Sequence, residues 1–313
     1  MEKFLHVSSS PHVRDHSSTS SIMRDVCIAM LPMCLFGVIH FGIRSLIVVI
    51  ATVAACVGSE YAWEKLMKKP VTIMDYSAAV TGMILALNMP PQIPVWVPML
   101  GGVFAIIVVK QLYGGLGQNF MNPALAARCF LLISFAGLMT DFSCAKIGFD
   151  SVTAATPLAA MKNGESQNLG YMILGNIPGT IGEVSAVCVL LGAAYLLYRK
   201  VITLRIPCIY IGTFALFVLI FSGFDFYYTL CQIFGGGLIF GAFFMANDYV
   251  TSPITPRGQI VYSVFLGVLT GIFRLWGASA EGVSYAIILG NMIVPLIERF
   301  TLPTAFGKEA KKS

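Results

Sequence analysis

Long apolar runs, separated by short polar segments, fill the chain from residue 22 onward. A helix needs about 20 mostly apolar residues to cross the hydrocarbon core of a membrane. The pattern therefore predicts an all-α integral membrane protein with ten membrane-spanning helices. Their expected bounds are 22–41, 43–61, 74–90, 94–112, 122–139, 180–198, 206–222, 227–247, 259–276 and 282–298.

Composition and charge agree with a membrane protein and set its orientation. Of the 313 residues, 57% are hydrophobic and 11% are charged, whereas soluble domains carry about 25% charged residues. Lysine and arginine favour the cytoplasmic segments of membrane proteins. With the N-terminus in the cytoplasm, fifteen of the 20 basic residues fall in cytoplasmic segments. These are Lys3, Arg14, Arg24, Lys65, Lys68, Lys69, Lys110, Arg199, Lys200, Arg205, Arg257, Arg299, Lys308, Lys311 and Lys312. The net charge of +5 is thus an orientation signal and predicts no nucleic-acid partner.

This topology divides the chain into five parts. We expect a cytoplasmic N-terminal arm over 1–21 and a first five-helix membrane repeat over 22–139. An extracytoplasmic loop over 140–179 connects it to a second five-helix repeat over 180–298, and a cytoplasmic tail follows over 299–313. The arm is polar and lacks the apolar core of a signal peptide.

A short internal repeat relates the two membrane halves. Gly82–Asn88 has the pattern G-x5-N, and so does Gly241–Asn247; a proline-containing turn follows each. Five spans per half would invert one half relative to the other. Paired segments interrupted by glycine or proline often mark a midplane site in repeat-built membrane proteins. The alternative is a chance match between glycine- and asparagine-rich helix ends.

Polar residues near the predicted span ends supply candidate ligand groups. The glycine-rich segment 110–123 is either a flexible turn or an unwound stretch that lines a cavity, in which case Asn119 and Asn122 would be the hydrogen-bonding groups. Asp248 is either an interfacial turn carboxylate or part of an ion pathway. Lys110 and Arg128 have side chains long enough to reach the membrane surface.

Cysteine and histidine offer no metal site. The eight cysteines are scattered without a C-x-x-C pair, and the four histidines all lie before residue 41. We therefore predict no metal and no histidine-based catalysis. Cys144, in the outer loop, is the one cysteine that we would consider reactive.

The stretch D-S-V-T-A-A-T-P-L, residues 150–158, interrupts the apolar pattern in the outer loop. Proline is favoured at the first position of a helix, so Thr156 before Pro157 is an expected helix N-cap. A phosphate ester on its hydroxyl would lie at the positive end of that helix. A threonine N-cap is also common without any modification.

This stretch resembles the flavinylation signature D-x-x-[ST]-G-A-T of the RnfD/NqrB family, the flavin-bearing membrane subunits of Rnf and Nqr complexes. Four further segments resemble the same family in the same order: "SSSPHVRDHSSTSSIMRDVCIAMLP", "GGLGQNFMNPALAARCF", "FFMANDYVTSPITPRGQIVY" and "EGVSYAIILGNMIVPLIE". The resemblance implies FMN bound covalently to Thr156 through a phosphoester, with Asp150, Thr153 and Ala155 as motif positions. Ala154 stands where the family has glycine.

The resemblance also implies a fold, partners and a function. The fold would be urea-transporter-like, with two inverted five-helix repeats, in the cytoplasmic membrane of a bacterium or archaeon. The chain would work with Rnf subunits A, B, C, E and G and exchange electrons with the flavin of the G subunit. It would pass electrons between ferredoxin and NAD, coupled to Na⁺ or H⁺ translocation, and hold a second, non-covalent riboflavin. A flavin transferase would attach the FMN. The alternative is a solute channel or permease in which Thr156 is only an N-cap.

Overall fold

A computed structural model describes residues 18–142, 156–165, 167–183, 185–277 and 282–303. The fold is all-helical: 72% of the described residues are helical, and these residues contain no strand. This confirms the all-α part of the predicted fold class, and the ten spans and the inverted repeat stay predictions. The predicted motif residues Asp150, Thr153 and Ala155 lie outside the described residues, as does Cys144.

The first part of the chain forms six α-helices before the outer loop. They are α1 (Thr19–Phe41), α2 (Ile43–Leu66), α3 (Ser77–Leu87), α4 (Trp96–Phe104), α5 (Pro123–Ser134) and α6 (Ala136–Met139). A 3₁₀ turn, Ile73–Asp75, precedes α3, and a π-helical stretch, Ala105–Gln111, extends α4.

Eight further α-helices follow the loop. They are α7 (Pro157–Lys162), α8 (Leu169–Leu174), α9 (Ala186–Tyr198), α10 (Arg205–Phe221), α11 (Phe226–Phe234), α12 (Leu238–Phe240), α13 (Pro256–Trp276) and α14 (Val283–Thr301). A second π-helical stretch, Gly241–Met245, continues α12.

Four of these helices, α1, α2, α13 and α14, are long and apolar enough to cross a membrane. A fifth candidate span consists of α11 and the helix Leu238–Met245, which are bent by 62° at the break between them. The remaining five predicted spans each contain a shorter apolar helix of 10–17 residues. The sixth predicted span, expected from residue 180, becomes helical only at Ala186, because the N–H groups of Ile181 and Gly182 donate to carbonyls at the end of α3.

Glycine explains the bend within the fifth candidate span. Gly235, Gly236 and Gly237 separate α11 from α12, and Gly236 has a φ of 62°, which side chains with a Cβ rarely adopt. A Cβ atom on Gly237 would collide with the Glu183 carboxylate. The break therefore brings the backbone of this span against a charged side chain from the segment before α9.

The helices pack around one main hydrophobic core to which both halves contribute. In the first half α2 contacts α1, α3 and α4, and in the second α13 contacts α10 and α14. Between the halves, α1 packs against α9, and α5 packs against α14. Large apolar side chains such as Ile39, Ile43 and Phe300 remain exposed on the outside. Such an outer surface suits lipid better than water.

Candidate functional site

Thr156 is the N-cap of α7, as the Thr-Pro sequence predicts. Its φ and ψ are −58° and 150°, and its Oγ accepts a long hydrogen bond of 3.4 Å from the Ala159 N–H. Two contacts hold α7 in place. Leu158 and Met161 pack on Met172 in a small apolar cluster, and Lys162 donates a 2.5 Å hydrogen bond to the Gly277 carbonyl. Thr156 thus lies half-exposed at the start of an anchored helix.

A cleft of about 290 Å³ opens beside Thr156. Its apolar walls come from Pro157, Leu158, Ile177 and Pro178, and its polar lining includes Thr180 and Glu183. No sequence pattern indicated the last two residues, which precede α9 in a non-helical segment.

Backbone pairing positions that segment. The Ile181 N–H donates to the Met89 carbonyl at 3.0 Å, and the Gly182 N–H donates to the Leu87 carbonyl at 2.8 Å. The end of α3 thereby fixes the backbone between the two polar residues of the cleft, Thr180 and Glu183.

Arg128 is buried behind the cleft and does not reach the membrane surface. It is 4% exposed, and its Nη1 donates to Glu183 Oε1 at 3.1 Å, to Asn88 Oδ1 at 2.5 Å and to Ser284 Oγ at 3.0 Å. These partners come from the end of α3, the segment before α9 and the start of α14. A buried charge of this kind requires a partner, and the Glu183 carboxylate provides it.

A second, larger cavity encloses about 780 Å³ and brings together three of the residues selected from the sequence. Asn119, Asn122 and Asp248 all line it, although they come from different halves of the chain. Its walls also include apolar side chains such as Ile84 and Phe243. A cavity that is mostly apolar and has a few convergent polar groups is typical of a small-molecule site.

The two asparagines differ in how much of their hydrogen-bonding capacity the protein uses. Asn122 is the N-cap of α5, and its Oδ1 accepts from the N–H groups of Ala124 and Leu125 at 3.1 and 3.4 Å. Asn119 donates its Nδ2 to the Met121 carbonyl at 3.0 Å. Asn119 therefore retains its carbonyl oxygen as an acceptor toward the cavity, whereas the oxygen of Asn122 has a structural role.

Lys110 also lines the larger cavity, and like Arg128 it is buried, contrary to the prediction of a surface position. It is 2% exposed, and its Nζ donates to Glu60 Oε1 at 2.6 Å and to Ser77 Oγ at 2.5 Å. Gln111 donates to the same Glu60 oxygen at 2.8 Å. No sequence pattern indicated Glu60, because it lies near the polar end of an ordinary span.

Asp248 forms a turn immediately after the second π-helical stretch. Its carboxylate accepts from Thr251 Oγ at 3.0 Å and from the Val250 N–H at 3.4 Å. Burial raises the pKa of the Asp248 carboxyl above its ordinary value, and these two hydrogen bonds lower it in part. Asp248 is thus a turn carboxylate that also borders the cavity.

Comparison with known proteins identifies the family. The model of the NQR2, RnfD, RnfE family matches residues 6–307. The D subunit of the Na⁺-translocating ferredoxin:NAD⁺ oxidoreductase complex of Acetobacterium woodii is 47% identical, with 98% of each chain covered. The D subunit of the proton-translocating ferredoxin:NAD⁺ oxidoreductase complex of Clostridium ljungdahlii is 43% identical over 96% of each chain. The D subunit of an ion-translocating oxidoreductase complex of Vibrio atlanticus is 34% identical over 96% of this chain and 99% of its own. The chain is a member of the NQR2, RnfD, RnfE family.

Proposed function

We propose that this chain is the D subunit of an Rnf-type complex that passes electrons between ferredoxin and NAD, coupled to Na⁺ or H⁺ translocation. The relatives named above support this assignment over nearly their whole length. The observation that carries it is the position of Thr156, which ends the flavinylation-like signature and lies half-exposed in the lining of a cleft.

The residues around Thr156 fit a covalently attached FMN. Among the described residues the Thr156 hydroxyl makes one long hydrogen bond, so esterification would cost little hydrogen bonding there. The cleft supplies apolar walls and the buried hydroxyl of Thr180, which has no hydrogen-bond partner in the described part of the chain. FMN would supply reversible electron transfer, and the chain would supply attachment, orientation and local charge.

The larger cavity fits the second, non-covalent flavin, a riboflavin. Ile84, Phe243 and Phe244 offer apolar surface to a flat ring, and the Asn119 oxygen is an acceptor for a ring N–H. Lys110 adds a buried positive charge to the same wall. Asn122 would contribute its amide nitrogen, because its oxygen caps α5. Asp248 borders this cavity, and we keep it as the residue proposed for the ion pathway.

We further propose ten membrane crossings in two inverted five-helix repeats, as in urea transporters, with both termini in the cytoplasm and Thr156 outside it. The packing supports this arrangement, since α1 contacts α9 and α5 contacts α14, which are the corresponding helices of the two halves. In the cytoplasmic membrane the chain would assemble with subunits A, B, C, E and G. Its Thr156 flavin would exchange electrons with the flavin of the G subunit, after attachment by a flavin transferase.

Flavin analysis of three variants tests the proposal. Each full-length chain is co-expressed with a flavin transferase, and its denatured band is examined for flavin fluorescence on a gel. Thr156→Val should lose the fluorescent band, whereas Thr140→Val, an exposed threonine outside the motif, should keep it. Acid extraction should release riboflavin from both variants, and Asn119→Leu should lower that amount severalfold. A wild-type chain with no band, beside a flavinylated control protein that shows one, would refute covalent flavin and favour the permease.

A further inference from the structure

The cleft beside Thr156 is too small for a whole flavin nucleotide. Its volume of about 290 Å³ includes space that is open to solvent, so the part that the protein encloses is well below the range of about 300–1,000 Å³ that is usual for pockets that bury an entire ligand. Thr156 is itself part of the lining. Whatever occupies the cleft must therefore be the part of the attached group that is nearest to the Thr156 oxygen.

A flavin joined to Thr156 through a phosphoester presents its parts in a fixed order. The phosphate comes first, the ribityl chain with its hydroxyls second, and the ring system last. The short tether to Thr156 brings the first two parts to the cleft, while the ring extends beyond it.

Thr180 has an unused hydroxyl in this cleft. The residue is 1% exposed, and its Oγ has no hydrogen-bond partner among the described residues. A buried hydroxyl without a partner costs about 1–3 kcal/mol, so such groups are rare in native structures. The phosphate oxygens and ribityl hydroxyls of an attached flavin are the hydrogen-bonding groups that would satisfy it.

We infer that this cleft holds the phosphate and ribityl chain of the flavin and that Thr180 is the positioning residue that anchors them. This inference rests on the proposed attachment of FMN to Thr156. The Thr180 hydroxyl donates to a phosphate oxygen or exchanges a hydrogen bond with a ribityl hydroxyl. Glu183, which Arg128 holds in place, accepts from the ribityl hydroxyls on the polar side of the cleft. The ring stays outside, where the flavin of a partner subunit can approach it.

Time-resolved fluorescence anisotropy of the attached flavin tests this inference in Thr180→Val. Valine has the shape of threonine but lacks the hydroxyl, so the cleft keeps its volume. Loss of one hydrogen bond of about 1 kcal/mol corresponds to about a fivefold change in an equilibrium constant. We expect the ratio of freely rotating to anchored flavin to rise about fivefold. Thr180→Ser, which keeps the hydroxyl, should match the wild type.

The matched control is Thr52→Val. Thr52 is equally buried but bonds the Val48 carbonyl of its own helix and does not line the cleft. Gel fluorescence must first show that each variant carries flavin, which separates failure of this inference from failure of the proposed attachment. With flavin present, equal anisotropy decay in Thr180→Val and wild type would overturn the inference. If Thr180→Val does not fold, Thr180→Ala takes its place with the same expected rise.

Discussion

The larger cavity and the cleft beside Thr156 each border a buried ion pair, but a different member of the pair faces the site in each. In the larger cavity the cation Lys110 forms part of the wall, and Glu60 lies behind it. In the cleft beside Thr156 the anion Glu183 forms part of the wall, and Arg128 lies behind it. The bond distances are similar, 2.6 Å and 3.1 Å, so the pairs differ mainly in which charge faces the site.

This difference gives the two sites distinct electrostatic properties. A cation beside a flavin favours the gain of an electron, and a carboxylate disfavours it. The larger cavity also has the Asp248 carboxyl in its wall, and burial raises the pKa of this group above its ordinary value. We therefore expect a site that favours reduction around Lys110 and one that disfavours it around Glu183.

The largest expected effect is a loss of stability when the cation of the Lys110–Glu60 pair is removed. Lys110→Met leaves the Glu60 carboxylate buried without its partner, which should lower the free energy of unfolding by about 3–5 kcal/mol. Thermal unfolding in detergent, followed by labelling of the buried Cys56, measures the loss. The double variant Lys110→Met/Glu60→Gln should recover part of the stability, because no buried charge remains.

The control is Lys65→Met, an exposed lysine on the same helix as Glu60 that lies 5.7 Å from the Tyr61 ring. It should change the free energy of unfolding by less than about 1 kcal/mol. Equal stability of the Lys110 and Lys65 variants would mean that the buried pair does not hold the cavity wall together.

An intermediate effect, on the midpoint potential of the flavin proposed at Thr156, should follow when the anion of the Arg128–Glu183 pair is neutralised. Glu183→Gln removes a negative charge beside Thr156 and the charged partner that lies 3.1 Å from Arg128. The midpoint potential of the flavin on Thr156 should rise by on the order of tens of millivolts, as measured by spectroelectrochemical titration. Glu60→Gln, an equally buried change that does not border this cleft, should leave that potential nearly unchanged. A lower midpoint potential in Glu183→Gln would contradict the proposal that the Glu183 carboxylate disfavours reduction of the flavin.

The smallest effect should be the change in melting temperature that Asp248→Asn causes. A carboxyl whose pKa is raised in the folded state contributes stability below its unfolded pKa and loses it as pH rises through the folded value. Asp248 therefore destabilises the fold at neutral pH. Asp248→Asn should raise the melting temperature at pH 8 by roughly 1–3 °C and leave it unchanged near pH 3.

Asp225→Asn provides the comparison for this change. Asp225 is also a capping carboxylate, accepting from the Tyr228 N–H at 2.9 Å, but it is exposed. It should show no rise in melting temperature at pH 8. If Asp248→Asn were less stable than wild type at pH 8, the surroundings would stabilise the Asp248 carboxylate, which would contradict a pKa raised by burial.

Local features of the fold were predictable from the sequence. The apolar runs placed all four long spans, because hydropathy over about 20 residues depends only on neighbouring residues. The Asn-Pro and Thr-Pro pairs placed the starts of α5 and α7 to the residue, since capping involves atoms within one helical turn. Ten crossings and the inverted repeat stay predictions, because five of the expected spans contain helices of 17 residues or fewer.

The sequence by itself determined that this is a helical membrane protein and which residues could cap or bind. The tertiary structure alone decided that Lys110 and Arg128 are buried, because their carboxylate partners lie 50 and 55 residues away along the chain. It also decided that Asn119, Asn122 and Asp248 share one cavity. Hydropathy and capping depend on neighbouring residues, whereas charge pairing and cavity formation depend on contacts between distant segments, which only the packed helices create.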